Sequence, residues 1–518
     1  MITSSTTPNW VLSFRQKGQE IKKIQNKYYL YEVSSYYCKE RKRTIKKSGK
    51  CLGRITEQGI VNKSNKAEFD IPRQVSSKEE GASSLVVSLL ATEQVALEKY
   101  LPTCWKEVMS CVVFRLLYQS AFKQMGWQYE SSYLSEVFPD LRLSSKQINS
   151  WLHPLGEDRE NLAELMRSLH EGHEIILVDS THITTQSGQN LSAQLGYNSQ
   201  RQFDPQINLL YLFSQDKQLP IFYRCVQGSI REVRSLNLTL AESGLKKSIL
   251  VSDKGFYSDA NIKLLEAEKW HYVLPVRRSM KLISYEPLVQ GNGKENFDGF
   301  FRFEKRIIWH KTTCIEDQKR SILFFDESLK VAESEDYLRR VTEEKEGYSL
   351  ELFHQKQHTF GTITVLTNTI KEEEKEAISK NKKKKNDENK DDENKDDENS
   401  TPQIQNLEAE KVFGYLKSRN DIEQLNDTYK NVLQADRTYM QNETGMEAWH
   451  FINFLAIRVY YKLFALLKDK NLNHKYSPAD ILLLLQNKKK IKINNEWVEA
   501  EVPKKAKVIL DMLFENNT

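Results

Sequence analysis

The 518-residue sequence is short of cysteine, of long apolar runs and of net charge, and each shortage closes off a class of explanation. Its six cysteines, at 38, 51, 104, 111, 225 and 314, lie far apart and include no Cys-x-x-Cys pair. That argues against a disulfide scaffold or a thiolate zinc site and for a reduced, cytosolic chain in which Cys is a small apolar side chain. No run approaches eighteen apolar residues, so no membrane span and no membrane partner is expected. The opening Met1-Ile2-Thr3-Ser4-Ser5-Thr6-Thr7-Pro8 is polar and unlike a signal peptide. Lysine and arginine number 76 against 71 acidic residues, a net of +5. The charge is uneven: residues 371–400 hold 9 Lys against 12 Asp or Glu, which leaves about +8 on the rest. A mild basic excess suits an anionic partner but also occurs in proteins that never touch nucleic acid.

What is present reads as several domains, since this length is too great for one core. Residues 1–80 form a β-rich basic segment. Tyr28 to Tyr37 alternates and runs into Arg41-Lys42-Arg43-Thr44-Ile45-Lys46-Lys47-Ser48-Gly49-Lys50. That stretch suits either a phosphate contact or a solvated edge hairpin. Residues 81–172 carry helical periodicity, including a buried-type helix over 108–118 and an N-cap signal at Ser144. This module reads as DNA-binding, dimerising or simply packed. Residues 173–279 switch to short strands at 175–178, 206–213 and 219–226, a helix at 231–243, a strand at 248–252, a helix at 258–269 and a strand at 271–276. The first three strands have connections too short for crossovers and predict an antiparallel meander. The whole order is that of an α/β, ribonuclease H-like core with a mixed sheet. Residues 280–370 predict a β-rich insertion. Residues 371–403 are a charged loop with Asp-Asp-Glu-Asn-Lys at period five, too polar to fold. Residues 404–470 return to helix, and 471–518 form a Lys-rich tail.

Three acids stand out. Ile175-Ile176-Leu177-Val178-Asp179 and Ser248-Ile249-Leu250-Val251-Ser252-Asp253 each place a carboxylate at the end of an aliphatic run, 74 residues apart. A charge at the tip of a buried strand is costly unless it is paired, hydrated or bound to a metal. Glu423 follows Arg419 by four residues and precedes Lys430 by seven. At 100° per residue all three project from one helix face. Such a face can ligate a metal beside DNA phosphates, or it can be an exposed ion-pair ladder. Asp421, a rival acid, points away and suits a first helical turn. Hard carboxylate oxygens match Mg²⁺ or Mn²⁺ and the metal-assisted transfer of a phosphoryl group.

These residues resemble the DDE transposases of bacterial insertion sequences, in the branch with a Tyr-Arg-Glu-Lys signature. The resemblance rests on Asp179-x-Thr181, Asp253-x-Gly255 and Arg419-x3-Glu423-x6-Lys430, and it runs through Gly196-Tyr197, Gly228, Gly361 to Asn368 and Trp449 to Leu455. It implies a ribonuclease H-like core, a β-rich insertion before the glutamate and two Mg²⁺ (or Mn²⁺) ions held by Asp179, Asp253 and Glu423. It also implies Arg419 and Lys430 on the DNA backbone, double-stranded terminal repeats and target DNA as partners, a homodimer, and a bacterial nucleoid location. Tyr415 is a further DNA-contact candidate by this resemblance, although it precedes Arg419 by one residue more than the signature has, which turns it about 100° from the expected direction if the helix runs through it. Trp309, in the insertion, is a candidate to stack on a flipped base. A metal nuclease that cannot join strands, a silent DNA-binding derivative and a metal-free acid–base hydrolase are the alternatives.

Overall fold

The computed structural model describes all residues except 1–6, 62–74, 171, 186, 198–202, 230–231, 247, 290–293, 317–318, 369–400 and 515–518. The low-complexity loop therefore lies outside the described residues. The chain divides into two compact units, Met1–Ser76 with Lys492–Trp497, and Ser77–Ile491 with Val498–Thr518.

The smaller unit is an antiparallel sheet of β1 (Gln19–Ile24), β2 (Lys27–Cys38), β3 (Arg43–Thr56) and β4 (Gly59–Val61) in that order. Alternation in β2 turns Leu30 inward, where it meets Val11 and Ile55 in a small buried core, with Phe14, Ile21, Tyr28 and Leu52 packed around it. Beyond Val33, β2 and β3 continue as a two-stranded ribbon whose residues are mostly exposed on both faces.

Strand β5 (Val75–Glu79) runs across the boundary at Ser76, and the larger unit continues with a run of helices. The longest of these are Trp105–Tyr118 and Ser145–Glu157. They pack on Glu443–Asp469, a helix whose middle is buried almost all round. Gly156 allows the closest approach: a Cβ there would stand 1.8 Å from the carbonyl oxygen of Thr444. Glu443–Asp469 is long and apolar enough to cross a membrane by composition, which the scan for apolar runs did not anticipate. It carries Arg458 and Lys462, whose side chains reach fully buried Glu93 at 3.0 and 2.5 Å. Burial alone would raise the Glu93 carboxyl, but the two cations hold it below its usual range.

The sheet of the larger unit runs through β6 (Ile175–Thr185), β7 (Gln194–Tyr197), β8 (Phe203–Ser214), β9 (Leu219–Gln227), β10 (Ile249–Ser252) and β11 (His271–Pro275). It continues with β12 (Gly299–Phe303), β13 (Arg306–Glu316), β14 (Lys319–Asp326) and β15 (Thr362–Thr367), and with a short β16 (Arg437–Thr438). The order is β12-β13-β14-β15-β11-β10-β6-β8-β7, with β9 also on β8 and β16 on β6. β10 lies parallel to both β6 and β11, while β8 and β9 run antiparallel, so the sheet is mixed and the first three long strands form the expected meander. Strands from 280–370 extend this same sheet through β15 and β11. That segment also holds helices Glu327–Thr342 and Leu350–Lys356, which the β-rich reading omits.

Two further points differ from the sequence reading. Asp179 is not at a strand tip. β6 runs six residues past it, because Thr181, Ile183 and Thr185 still turn inward while the residues between them do not. The neighbouring strand β10 stops instead, pairing only with Ile175 to Val178. Among the described residues, β16 is the next strand on that edge, opposite Thr184 and Thr185. The glutamate-bearing helix is Thr401–Asp427, so Asp421 lies deep inside it rather than in a first turn. It ends in a π-helical turn, Thr428–Val432, with Leu433 N donating to the Thr428 carbonyl at 3.1 Å. The wider turn breaks the 100° phase on which Lys430 was aligned with Glu423.

Candidate active site

Parallel pairing of β6 with β10 puts Val178 opposite Ser252. One residue further along each chain, Asp179 and Asp253 are level. Asp253 lies just past the end of β10 but keeps an extended backbone (φ −79°, ψ 164°), so it continues level with Asp179 at about the 4.8 Å spacing of neighbouring strands. The Asp253 side chain also accepts from Lys254 N at 2.7 Å, which starts the turn after the strand.

Helix Thr401–Asp427 faces these acids. Arg419, Glu423 and Asn426 stand at i, i+4 and i+7, within about 60° of one another around its axis. Arg419 Nη1 donates to Asp253 Oδ1 at 2.7 Å, and its Nη2 donates to Glu423 Oε1. One guanidinium thus joins the second acid to the third. Asn426 Nδ2 donates to Asp179 Oδ2 at 2.8 Å and ties the first acid to the same helix. Burial would lower the Arg419 pKa, but Asp253, Glu423 and Asp179 overcome it and raise it. Lys430, on the π turn, is half-buried; burial lowers its pKa against the pull of Asp436 and Asp179. Burial lowers the pKa of His182 on β6, and the charge of Lys430 lowers it further.

The remaining predicted residues are not brought to this cluster. Tyr415 is half-buried and packs against the core; the helix already runs through it, one turn before Arg419. Trp309 lies on β13, four strands from β10, in an aromatic group with Phe300 at 5.0 Å and Phe297 at 6.1 Å between ring centres. Lys294 Nζ sits 5.5 Å over its ring. Asp421 is turned away and accepts from Gln218 at 2.9 Å.

Some residues at the site escaped the sequence reading. Asn426 extends the Arg419–Glu423 stripe by one more turn, and that spacing was the available signal. Asp253, Arg419 and Glu423 line a groove of about 670 Å³ that also holds Lys254, Arg277, Arg278 and Lys417. The Arg277-Arg278 pair directly after β11 was the legible sign of that basic wall. Cations outnumber acids in the groove, which favours an anionic occupant such as phosphate.

The donor set fits a hard divalent cation. All three acids offer carboxylate oxygen, and Asn426 Oδ1 is buried beside Asp179 without a hydrogen-bond partner. Among the described residues no three acidic, His or Cys side chains converge on one point, consistent with Arg419 bridging Asp253 and Glu423. A cation bound to both carboxylates would displace this bridge.

Residues 170–458, more than half of the chain, match the family described as Transposase DDE domain. The chain belongs to that family. The matched span of this transposase domain runs from the approach to β6 through most of helix Glu443–Asp469, and so takes in both strands and the facing helix just described. No curated protein matches the chain. Among solved structures the domain is similar to the piggyBac transposase synaptic complex with hairpin DNA, at 12% identity, over 76% of this chain and 70% of that one, with a TM-score of 0.37.

Proposed function

We propose that the chain is a cut-and-paste DNA transposase of the bacterial insertion-sequence type, with Asp179, Asp253 and Glu423 as its catalytic and metal-holding acids. The observation that carries this reading is the level placement of Asp179 and Asp253 on adjacent parallel strands, faced by a helix that presents Glu423. The strand order β9-β8-β6-β10-β11 supports a ribonuclease H-like core, because it is third-second-first-fourth-fifth in chain order.

In this reading the three carboxylates hold Mg²⁺ or Mn²⁺, two ions per site, which supply activation of the attacking oxygen and charge stabilisation at the leaving one. Asn426 holds Asp179 in orientation. Arg419 moves from the carboxylates to a DNA phosphate, where its planar fork pairs well. Lys430, Arg277 and Arg278 neutralise neighbouring phosphates. Trp309, with Phe300 exposed beside it, offers a stacking surface for a base turned out of the duplex. Tyr415 supports the helix under Arg419. The transferred strand is nicked at each element end, and the freed 3′-hydroxyl attacks target DNA. Two copies act together, one binding an end that the other cuts.

The test uses duplex DNA from the flanks of the gene as the terminal substrate. Pre-cleaved ends incubated with a plasmid target and Mg²⁺ are expected to join to it, and Asp179→Ala, Asp253→Ala or Glu423→Ala to abolish joining while end binding persists. Cleavage without joining points to a nuclease. Binding without either reaction points to a silent derivative. Activity that survives EDTA overturns the metal reading altogether.

A further inference from the structure

The β2–β3 ribbon of the smaller unit is left uncovered by the described residues over its outer half. Its core of Val11, Leu30 and Ile55 lies under the start of β2 and the end of β3. Past Val33, five residue pairs, from Ser34 opposite Lys47 to Cys38 opposite Arg43, continue with both faces largely exposed among the described residues, only Cys38 and Ile45 being half-buried. Tyr36 and Tyr37 are 54% and 62% exposed, and as neighbours on a strand they point to opposite faces. An isolated two-stranded ribbon with bare aromatics gains little stability by itself and invites aggregation.

Its charge is one-sided. Between Ser34 and Lys50 stand Lys39, Arg41, Lys42, Arg43, Lys46, Lys47 and Lys50 against the single acid Glu40, all of them exposed. None of these cations forms an ion pair with a described residue. Lys47 and Arg43 share the face of Tyr36, while Lys46 shares that of Tyr37, and the turn is basic too.

We infer that this ribbon is a DNA-docking arm that lies in the major groove of double-stranded DNA. Five residue pairs span roughly 17 Å, and the major groove, about 12 Å wide, admits a two-stranded ribbon. Cations on both faces then meet the phosphates of both groove walls, while the tyrosines reach base edges and sugars. The inference rests on the DNA reading proposed above but concerns a different surface from the acidic site.

The experiment uses the full chain and labelled duplexes, one from the gene's flanks and one unrelated, in fluorescence anisotropy between about 50 and 200 mM salt. Replacing Arg43, Lys46 and Lys47 together by Gln is expected to weaken duplex binding by about tenfold or more. The slope of log affinity against log salt should fall by about 2 to 3, since each lost phosphate contact removes about 0.9. Tyr36→Ala with Tyr37→Ala should narrow the preference for the flanking duplex and leave the salt slope nearly intact. Protection of guanine N7 from methylation reads the major groove directly and should be lost in the triple variant. Circular dichroism and melting temperature must match the parent for each variant. If the triple variant binds DNA with unchanged affinity and slope, the ribbon is a solvated hairpin and this inference is wrong while the transposase reading stands. Tighter binding of duplex RNA or polyglutamate than of duplex DNA also overturns it. Failure of the parent chain to bind any duplex overturns the DNA reading itself.

Discussion

Asn426 donates to Asp179 at 2.8 Å, and this bond connects the first strand acid to the helix that carries Glu423. Asn426→Ala removes the donor and the unpartnered Oδ1 together. Orienting partners of metal ligands typically carry ten- to a hundredfold in affinity or rate. We therefore expect Mn²⁺ affinity, measured by calorimetry, and strand cleavage to fall by about that factor, with little change in melting temperature. Unchanged Mn²⁺ binding would reduce Asn426 to a packing role.

Arg419 neutralises Asp253 and Glu423 while itself partly exposed, so its ion pairs add little to stability, less than about 1 kcal/mol. Arg419→Ala should leave the metal-free melting temperature nearly unchanged yet enlarge the upward shift produced by Mg²⁺, because the cation no longer displaces a guanidinium. Cleavage should fall in the same variant. Arg419→Lys should recover only part of it, since one ammonium cannot bridge two carboxylates as a fork does. An Mg²⁺-induced shift no larger than the parent's would argue against displacement.

Glu93 is fully buried between Arg458 and Lys462. Glu93→Ala strands two cations and should cost about 3–5 kcal/mol in urea denaturation. Combining it with Arg458→Met and Lys462→Met should restore much of the loss, because the penalty comes from unpaired charge. A cost below about 1 kcal/mol for the single change would show that water reaches the site.

His450 is buried, bonded through Nδ1 to the Tyr429 hydroxyl at 2.6 Å, and burial pushes its pKa down to about 4. The unfolded chain takes up this proton near pH 6.5, the folded chain only near 4. The stabilisation is thus complete above about 6.5 and is lost as pH falls toward 4, by about 3 kcal/mol in all. His450→Gln should make that part of the profile shallower in calorimetric unfolding, leaving the share of His170, which burial also pushes down to about 4. An unchanged acid limb would place the titration elsewhere.

Much of this architecture was legible in the sequence, for identifiable reasons. The expected strands at 175–178, 206–213, 219–226, 248–252 and 271–276 fall within a residue or two of β6, β8, β9, β10 and β11, except that β6 and β8 run on further. Their aliphatic runs are covered on both faces, which leaves a continuous apolar signal. The continuation of β6 beyond Asp179 was hidden because one face opens there and the run turns polar at alternate positions. Glu327–Thr342 was missed as a helix because its inward face contributes little beyond Tyr337. The π turn gives no composition cue at all: Thr428-Tyr429-Lys430-Asn431-Val432 contains neither Gly nor Pro. The stripe of Arg419 and Glu423 was readable from spacing, but which strand acid each helix side chain would meet depends on pairings distant along the chain.

Asp179 lies within hydrogen-bonded β6, so it cannot shift along its strand without turning its side chain to the opposite face, and Asp253, directly after β10, is held by the turn it caps. Glu423 and Asn426 belong instead to a helix that reaches these acids through side chains alone. On the proposed reading, fitting the acids around ions and a scissile phosphate would fall to side chains on one helix face, and changes along the outer surface of Thr401–Asp427 are expected to tune that fit while the strands beneath stay unchanged.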